Sequence, residues 1–538
     1  MVQQNIFCRD KLIDKAISTN EEWDVIVIGG GATGLGSAVE AASRGYRTLL
    51  LEQHDFGKGT SSRSTKLVHG GVRYLRQGNL SLVFKALRER GIFLKNAPHL
   101  AHQLEFVIPC YTFWEKAFYG IGLKIYDLIS GSLGLQHSRI LGRNDVLKRL
   151  PGIEPEALCG GVSYFDGQFD DSRMIVNLAQ TCSDHGGVPI NYFQVVQLTR
   201  TNGKTDGVVA RDMESGREYG FKSKSVLNAT GVFADQLRHL DDPIQSPMIK
   251  PSQGIHLILD RSFLPGDVAL MVPHTDDGRV LFAIPWHNNV IIGTTDTPVQ
   301  DIELEPQAHE DEVKYLLTHA GRYLTKRPKA SDVLSVYAGL RPLVSSGTSD
   351  TKSISRDHVL FVSESGLVTI TGGKWTTYRQ MGEEAVDQAA KVGGLDARKS
   401  RTRNLKIHGA EGFFSSDEHY GIFGSDAESV KNVVESEPSG SEQIHPRLPY
   451  SKGEVVYSVR YEMARSVEDI LARRTNALFL DASASIEAAH VVAVIVAREL
   501  GRDDSWVERQ ISQFSTLAAG YQISDAVSRE VNPAPSSS

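Results

Sequence analysis

Four apolar residues followed by three spaced glycines set the strongest limit on what this chain can fold into. Val25-Ile26-Val27-Ile28 is continuously apolar, as a strand buried on both faces requires, and Gly29, Gly31 and Gly34 follow it at the G-x-G-x-x-G positions. Gly29 suits a tight turn, Gly31 lets the backbone approach a pyrophosphate, and Gly34 lets a helix pack closely on the strand. The free N–H groups of that helix's first turn then face the phosphates. A second apolar run ends in Glu52, 18 residues past Gly34, where a carboxylate can accept hydrogen bonds from a ribose. Strand, glycines, helix and terminal acid in this order predict dinucleotide binding. The competing reading is a glycine-rich turn in an ordinary α/β protein.

The chain has 538 residues, enough for two or three domains, and its 41% hydrophobic composition is ordinary for a globular protein. A formal charge of −7 gives no global reason to expect nucleic-acid binding. Cys8, Cys110, Cys159 and Cys182 form no CxxC pair and no His/Cys ligand spacing, so they read as reduced structural thiols and no metal is expected. No window approaches 18 uninterrupted apolar residues, so the sequence predicts no membrane-spanning helix. The first 20 residues mix Arg9, Lys11 and Lys15 with Asp10 and Asp14 and lack an apolar core, unlike a secretory signal or an acid-poor transit peptide. A cytosol-facing location is expected.

Charge is unevenly spread. Residues 73–150 hold 12 basic and 5 acidic side chains, net +7 within a chain of net −7. Inside this region Trp114, Ala117, Phe118, Ile121, Ile125, Leu128 and Ile129 recur at helical spacing, with Lys116, Lys124 and Asp127 on other faces. Such a helix either packs on its own domain or lies in a bilayer interface with neighbouring cations on anionic lipid.

Strand-like segments follow at Gln194–Thr199, Val226–Asn228, His256–Leu259, Val290–Gly293 and Val368–Thr371, the last meeting Gly372-Gly373-Lys374 and a helix from Thr376. The strand Ser225–Asn228 ends in Ala229-Thr230-Gly231, a form that returns the chain to the dinucleotide crevice in flavin folds. Beyond residues 395–405 the pattern is helical, notably at Val455–Thr475 and Ser485–Leu500, and the Pro/Ser-rich end reads as a disordered tail. The expected divisions are an N-terminal extension (1–22), a dinucleotide-binding region of interleaved parts (23–395), a helical domain (400–525) and a tail (526–538).

The segment TSSRSTKLVHGGVRYL (60–75) follows Glu52 closely and supplies hydroxyl and backbone donors for a pyrophosphate and a flavin ring, or is simply a polar loop. Together with GGGATG (29–34), APHLA (97–101), IPWHNNVIIGTTDTP (284–298), YAGLRPL (337–343), SRDH (355–358), GGKWTTYR (372–379) and YEMARSVEDILARRT (461–475), it resembles the FAD-dependent, membrane-associated glycerol-3-phosphate dehydrogenases. The resemblance runs from about Trp23 to Arg379 and resumes at Tyr461, while residues 409–449 match poorly.

That resemblance implies an α/β protein with a glutathione-reductase-type FAD-binding fold, a mixed-sheet substrate domain and a C-terminal α-helical domain. It implies oxidation of sn-glycerol 3-phosphate to dihydroxyacetone phosphate with electrons passed to membrane quinone, on a protein peripheral to the cytoplasmic side of an inner membrane. A homodimer is left open. The FAD contacts expected are Gly29, Gly31, Gly34, Glu52, Ser61, Ser62, Lys66, Leu67, His69, Gly70, Gly231, Gly373 and Thr376.

Guanidinium forks bind phosphomonoesters bidentately, which makes Arg341, stiffened by Pro342, the first choice for the phosphate. Arg73, Tyr74 and Arg356 match the family's other substrate-pocket positions. For the hydroxyl proton His256 and Lys374 compete, with Arg341 able to stabilise a developing alkoxide; His256 could equally be a satisfied core histidine. The alternatives are a glycerol-3-phosphate oxidase that reduces oxygen, an amine or amino-acid oxidase, and a non-catalytic flavin-binding membrane scaffold.

Overall fold

The computed structural model describes residues 7–19, 21–70, 80–130, 135–273, 275, 278–344, 358–412 and 418–523. Arg73, Tyr74 and Arg356 lie outside them.

The apolar run at the start forms the strand Trp23–Ile28, in the middle of an eight-stranded sheet. The strands run in the order His358–Val362, Val368–Gly372, Glu218–Asn228, Trp23–Ile28, Thr48–Leu51, Val188–Ile190, with the hairpin Phe193–Thr201 and Lys204–Asp212 attached to Glu218–Asn228. Trp23–Ile28 pairs in parallel with neighbours on both sides, which is why it is apolar at every position from Val25 to Ile28. Chain order reverses across it, and a crevice opens at the carboxyl ends of these strands. Helices Ala32–Ser43 and Tyr378–Val392 cross closely here. A Cβ at Gly36 would lie 2.8 Å from the Tyr378 ring, and one at Gly382 would lie 2.8 Å from the Gly36 backbone.

The second sheet has ten strands of mixed direction. Ile249–Asp260 and Val333–Val344 pair antiparallel along nearly their whole length, so that Ser252 faces Arg341 and His256 faces Tyr337. One side of this sheet packs on Glu310–Gly321. On its other side, strand residues such as Tyr337 and Ile258 share a core with the helices Ala427–Ser436, Lys452–Tyr461 and Ala482–Leu500. Every strand segment expected from the sequence is present, as are the helix after Trp375 and the long helix up to Leu500.

The segment Val455–Thr475 departs from the helix expected there. The α-helix stops at Tyr461, Met463 takes a positive φ of 57°, and Asp469–Arg474 forms a short π-helical turn. Apart from the exposed Arg460, its charged residues are not a solvated face. Glu462 receives Arg173 at 2.9 and 2.6 Å, and Asp469, Arg473 and Arg474 are all buried against other parts of the chain. Buried charges persist only when paired and hydrogen-bonded, and these pairings pull the chain out of a continuous helix. All four cysteines are free thiols, and burial pushes Cys110 and Cys182 up to about 12.

His408 bridges two carboxylates, with Nδ1 2.7 Å from Asp184 and Nε2 2.9 Å from Asp426. Burial alone would lower its pKa. The bonds to Asp184 and Asp426 outweigh burial and push it up to about 10. The folded value lies above the ordinary 6.5, so this contribution is complete below pH 6.5 and is lost as pH rises toward 10. Thermal unfolding followed from pH 6.5 to 10 should show stability falling by up to about 1.4 kcal/mol per pH unit from this group, and His408→Gln should flatten that slope. An unchanged slope in the variant would remove His408 as its source.

Candidate active site

A cavity of about 580 Å³ runs from the glycine turn at the first sheet to the strands Ile249–Asp260 and Val333–Val344 of the second. At its first end Gly29 has φ +109°, and a Cβ there would sit 2.7 Å from the Ala229 carbonyl oxygen, so two strand ends meet at backbone distance. A Cβ at Gly34 would fall 1.9 Å from the Gly29 carbonyl oxygen, which is the close helix–strand packing that glycine permits. Gly31 starts the helix Ala32–Ser43, and a Cβ there would lie 3.0 Å from Ser61 Oγ, itself the acceptor for Ala32 N at 3.0 Å. Glu52 lines the cavity just past Leu51. Its carboxylate accepts Gly30 N at 2.6 Å and His54 N at 2.8 Å; burial raises its pKa and these two N–H groups oppose that.

Further along, Thr376 Oγ1 accepts His69 N at 3.2 Å, and Trp375 Nε1 donates to the Ser61 carbonyl at 2.8 Å. These bonds tie the loop 60–70 to the helix entrance at Gly372-Gly373-Lys374. Gly29, Gly31, Glu52, Ser61, Leu67, His69, Gly231, Gly373, Lys374 and Thr376 all line the one cavity.

Four residues expected at the cofactor do not line it, the first being Gly34, which packs against the Gly29 carbonyl. Lys66 is fully buried with φ +61°, and its ammonium turns inward to Asp171 at 2.5 Å and the Ser62 carbonyl at 2.8 Å, over the rings of Trp286, Tyr337 and Phe479. A lone buried ammonium is too costly to leave unpaired, and its partner Asp171 does not line the cavity. Ser62 is buried with it. Gly70 packs at backbone distance, where a Cβ would meet Tyr126 Oη at 2.2 Å, and its N–H goes to Asp166.

At the second end His256 and Arg341 meet. His256 is buried, stacks on Tyr337 with ring centroids 4.8 Å apart, and has Nε2 2.9 Å from Thr65 Oγ1. Burial first, then the charges of Arg341 and Lys66, hold its pKa well below the ordinary value, which favours the neutral ring. Gly293 is needed beside it, since a Cβ there would lie 2.3 Å from the imidazole. The Arg341 guanidinium is held by the Gln253 and Thr295 carbonyls at 3.2 and 3.0 Å, and by Asp296 and Thr294 Oγ1 at 3.3 Å each. Gly254 leaves room for it, because a Cβ would come within 2.3 Å of Nη2. The sequence reading passed over Thr65, Asp296 and Arg279, which also line this end. Thr65 and Asp296 stand inside motifs singled out above, whereas Arg279 carries no motif or spacing signal.

A family model described as "FAD dependent oxidoreductase" matches residues 24–379, and one described as "C-terminal domain of alpha-glycerophosphate oxidase" matches residues 400–507. A mitochondrial glycerol-3-phosphate dehydrogenase of Bos taurus is 37% identical, covering 94% of this chain and 75% of its own length. The chain belongs to the FAD-dependent glycerol-3-phosphate dehydrogenase family. A mitochondrial glycerol-3-phosphate dehydrogenase of Arabidopsis thaliana is 39% identical over 95% of this chain and 88% of its own. The crystal structure of a glycerol-3-phosphate dehydrogenase from Bacillus halodurans complexed with FAD superposes with a TM-score of 0.78 at 30% identity, covering 96% of this chain and 98% of that one.

The cavity fits FAD. The close approach at Gly31, the helix N-terminus above it and the Glu52 carboxylate suit a pyrophosphate and a ribose, and the glycine-led entrance at Gly373 suits the edge of an electron-rich ring.

Proposed function

We propose that this protein oxidises sn-glycerol 3-phosphate to dihydroxyacetone phosphate and passes the electrons to membrane quinone. The observation that carries the reading is that Arg341, His256 and Lys374 line the same cavity as the dinucleotide turn. When bound, FAD supplies the hydride acceptor. Arg341, whose terminal N–H groups meet the Gln253 and Thr295 carbonyls, Asp296 and Thr294 Oγ1, would exchange some of these acceptors for the phosphate and so fix which carbon of the triol faces inward. His256, neutral and fixed by Thr65 and Tyr337, takes the proton of the secondary hydroxyl. Lys374, at the N-terminal end of Trp375–Thr377, adds positive charge where the alkoxide develops. Arg73, Tyr74 and Arg356 lie outside the described residues and enter this proposal from the sequence resemblance alone. Anaerobic mixing of the purified yellow protein with glycerol 3-phosphate should bleach the flavin absorbance. Colour that persists with this substrate would overturn the assignment.

The acceptor reading draws on the helix Phe113–Ser130. Trp114, Phe118, Ile121, Ile125 and Leu128 stand exposed along one face, Trp114 at 86% and Leu128 at 83%, while Leu123 and Tyr126 anchor the opposite face in the core. Large apolar side chains in such a contiguous row suit an interfacial helix, and the basic residues of the surrounding region suit an anionic lipid surface. Among the described residues no helix is long and apolar enough to cross a membrane. Binding is therefore peripheral, weakened by salt and fully reversed only by detergent. Phe118→Asp with Ile121→Asp should move the protein to the soluble fraction and cut quinone reduction, while reduction of a soluble dye by glycerol 3-phosphate persists. A double variant that loses flavin or unfolds would place the helix in the core instead.

A further inference from the structure

The loop that follows Glu52 has two working faces. One lines the cavity through His54, Gly57, Lys58 and Ser61. It also supports the glycine turn directly: Gly57 N donates to the Gly30 carbonyl at 3.0 Å, and the Phe56 ring packs so closely that a Cβ on Gly30 would lie 2.9 Å from it.

The other face is gripped by residues over 400 positions later in the chain. Asp55 is fully buried. One of its oxygens receives Arg473 Nε at 2.6 Å and Arg474 Nη1 at 2.7 Å; the other receives Arg474 Nη2 at 2.9 Å and Asn191 Nδ2 at 3.2 Å. Burial would raise the Asp55 pKa, but the two arginines reverse this and hold it far below the carboxylate range. Three residues on, Lys58 reaches both Glu468 oxygens at 2.6 Å, and Glu468 also takes Arg473 Nη1 at 2.7 Å. The chain of charges continues from Lys58 to Glu305 at 2.9 Å and from Glu305 to Arg63 at 2.7 Å, returning to the cavity wall.

We propose that Glu468, Arg473 and Arg474 act as positioning residues for FAD, a clamp by which the C-terminal helical segment holds the loop 53–63 in its cofactor-binding shape. A loop that must be ordered when its ligand binds lowers affinity by the cost of that ordering, and a loop held beforehand does not. The helical segment is also attached through Arg173–Glu462 and its apolar core, neither of which involves Glu468. The proposal rests on the FAD site and not on the identity of the substrate.

Glu468 is the residue to test, since it is partly exposed and does not line the cavity. Full-length protein stripped of flavin and reconstituted with FAD should show, for Glu468→Ala, a Kd raised by at least about tenfold and correspondingly faster release of flavin fluorescence, with Glu468→Asp within about threefold of the parent. In a Lys58→Met background Glu468→Ala should add less than about twofold, because both then break the same pair. Apoprotein unfolding temperatures should be nearly equal across the set. Unchanged FAD affinity in Glu468→Ala would overturn the proposal. Weakened FAD binding that only tracks a matching loss of apoprotein stability would overturn it too, by making these pairs general glue. Flavin bleaching by glycerol 3-phosphate is read separately, so loss of the substrate assignment leaves this test intact.

Discussion

Arg341→Lys is expected to lower kcat/KM for glycerol 3-phosphate by about 30-fold or more, on the order of 2 kcal/mol, although the charge is kept. The guanidinium spreads its N–H groups over Gln253, Thr294, Thr295 and Asp296, which orients its plane in the cavity wall. A lysine ammonium is a single point on a flexible stem and cannot present two parallel donors to a phosphate. Gly254→Ala probes the same contact from the other strand, because its new Cβ would lie 2.3 Å from Arg341 Nη2 and force the fork out of position. Steady-state kinetics with glycerol 3-phosphate and with plain glycerol separates the outcomes. Both variants should approach the poor rate of the parent with glycerol, which lacks the anionic handle. Near-normal kinetics for Arg341→Lys would remove this residue from the phosphate site.

Gly31→Val should abolish FAD retention. The first atom added would stand 3.0 Å from Ser61 Oγ, which is already engaged by Ala32 N, and the two methyl groups beyond it would occupy the space a pyrophosphate needs above the helix N-terminus. Gly122→Ala is the matched control, since nothing lies within 4 Å of its Cβ position. The flavin-to-protein absorbance ratio after purification should be near zero for the first and unchanged for the second. Acid or heat should release the colour from the parent protein, as expected of non-covalent FAD; flavin that stays with the precipitate would contradict this. A Gly31→Val protein with full flavin content would sink the assignment of the turn.

The dinucleotide site was legible because its determinants are local. Strand, turn, helix start and Glu52 follow one another within about thirty residues, and each glycine is required by the backbone beside it. The amphipathic helix was legible for the same reason, since a 3.6-residue period is written in consecutive residues. Which face it buries was not. Leu123 and Tyr126 turn inward while Trp114, Phe118 and Leu128 remain outside, and that choice depends on the strands beneath the helix.

Lys66 shows the limit at the site itself. Its neighbours in sequence read as a polar loop around a cofactor, yet a positive φ and Asp171, over 100 residues away, carry the ammonium into an aromatic-walled interior. His256 is alike: the sequence offers a histidine in a strand, and only burial against Tyr337 and Thr65 beside the charges of Arg341 and Lys66 pushes its pKa down. The charges of 462–474 looked like the polar positions of a helix and are a buried network reaching Asp55 and Arg173. By itself the sequence determined what nearest-neighbour sterics and periodicity control: the strands, the glycine turn and the family motifs. Tertiary structure decided burial, the partners of charges and the state of the imidazole, because desolvation and Coulomb energies depend on which distant segments meet in space.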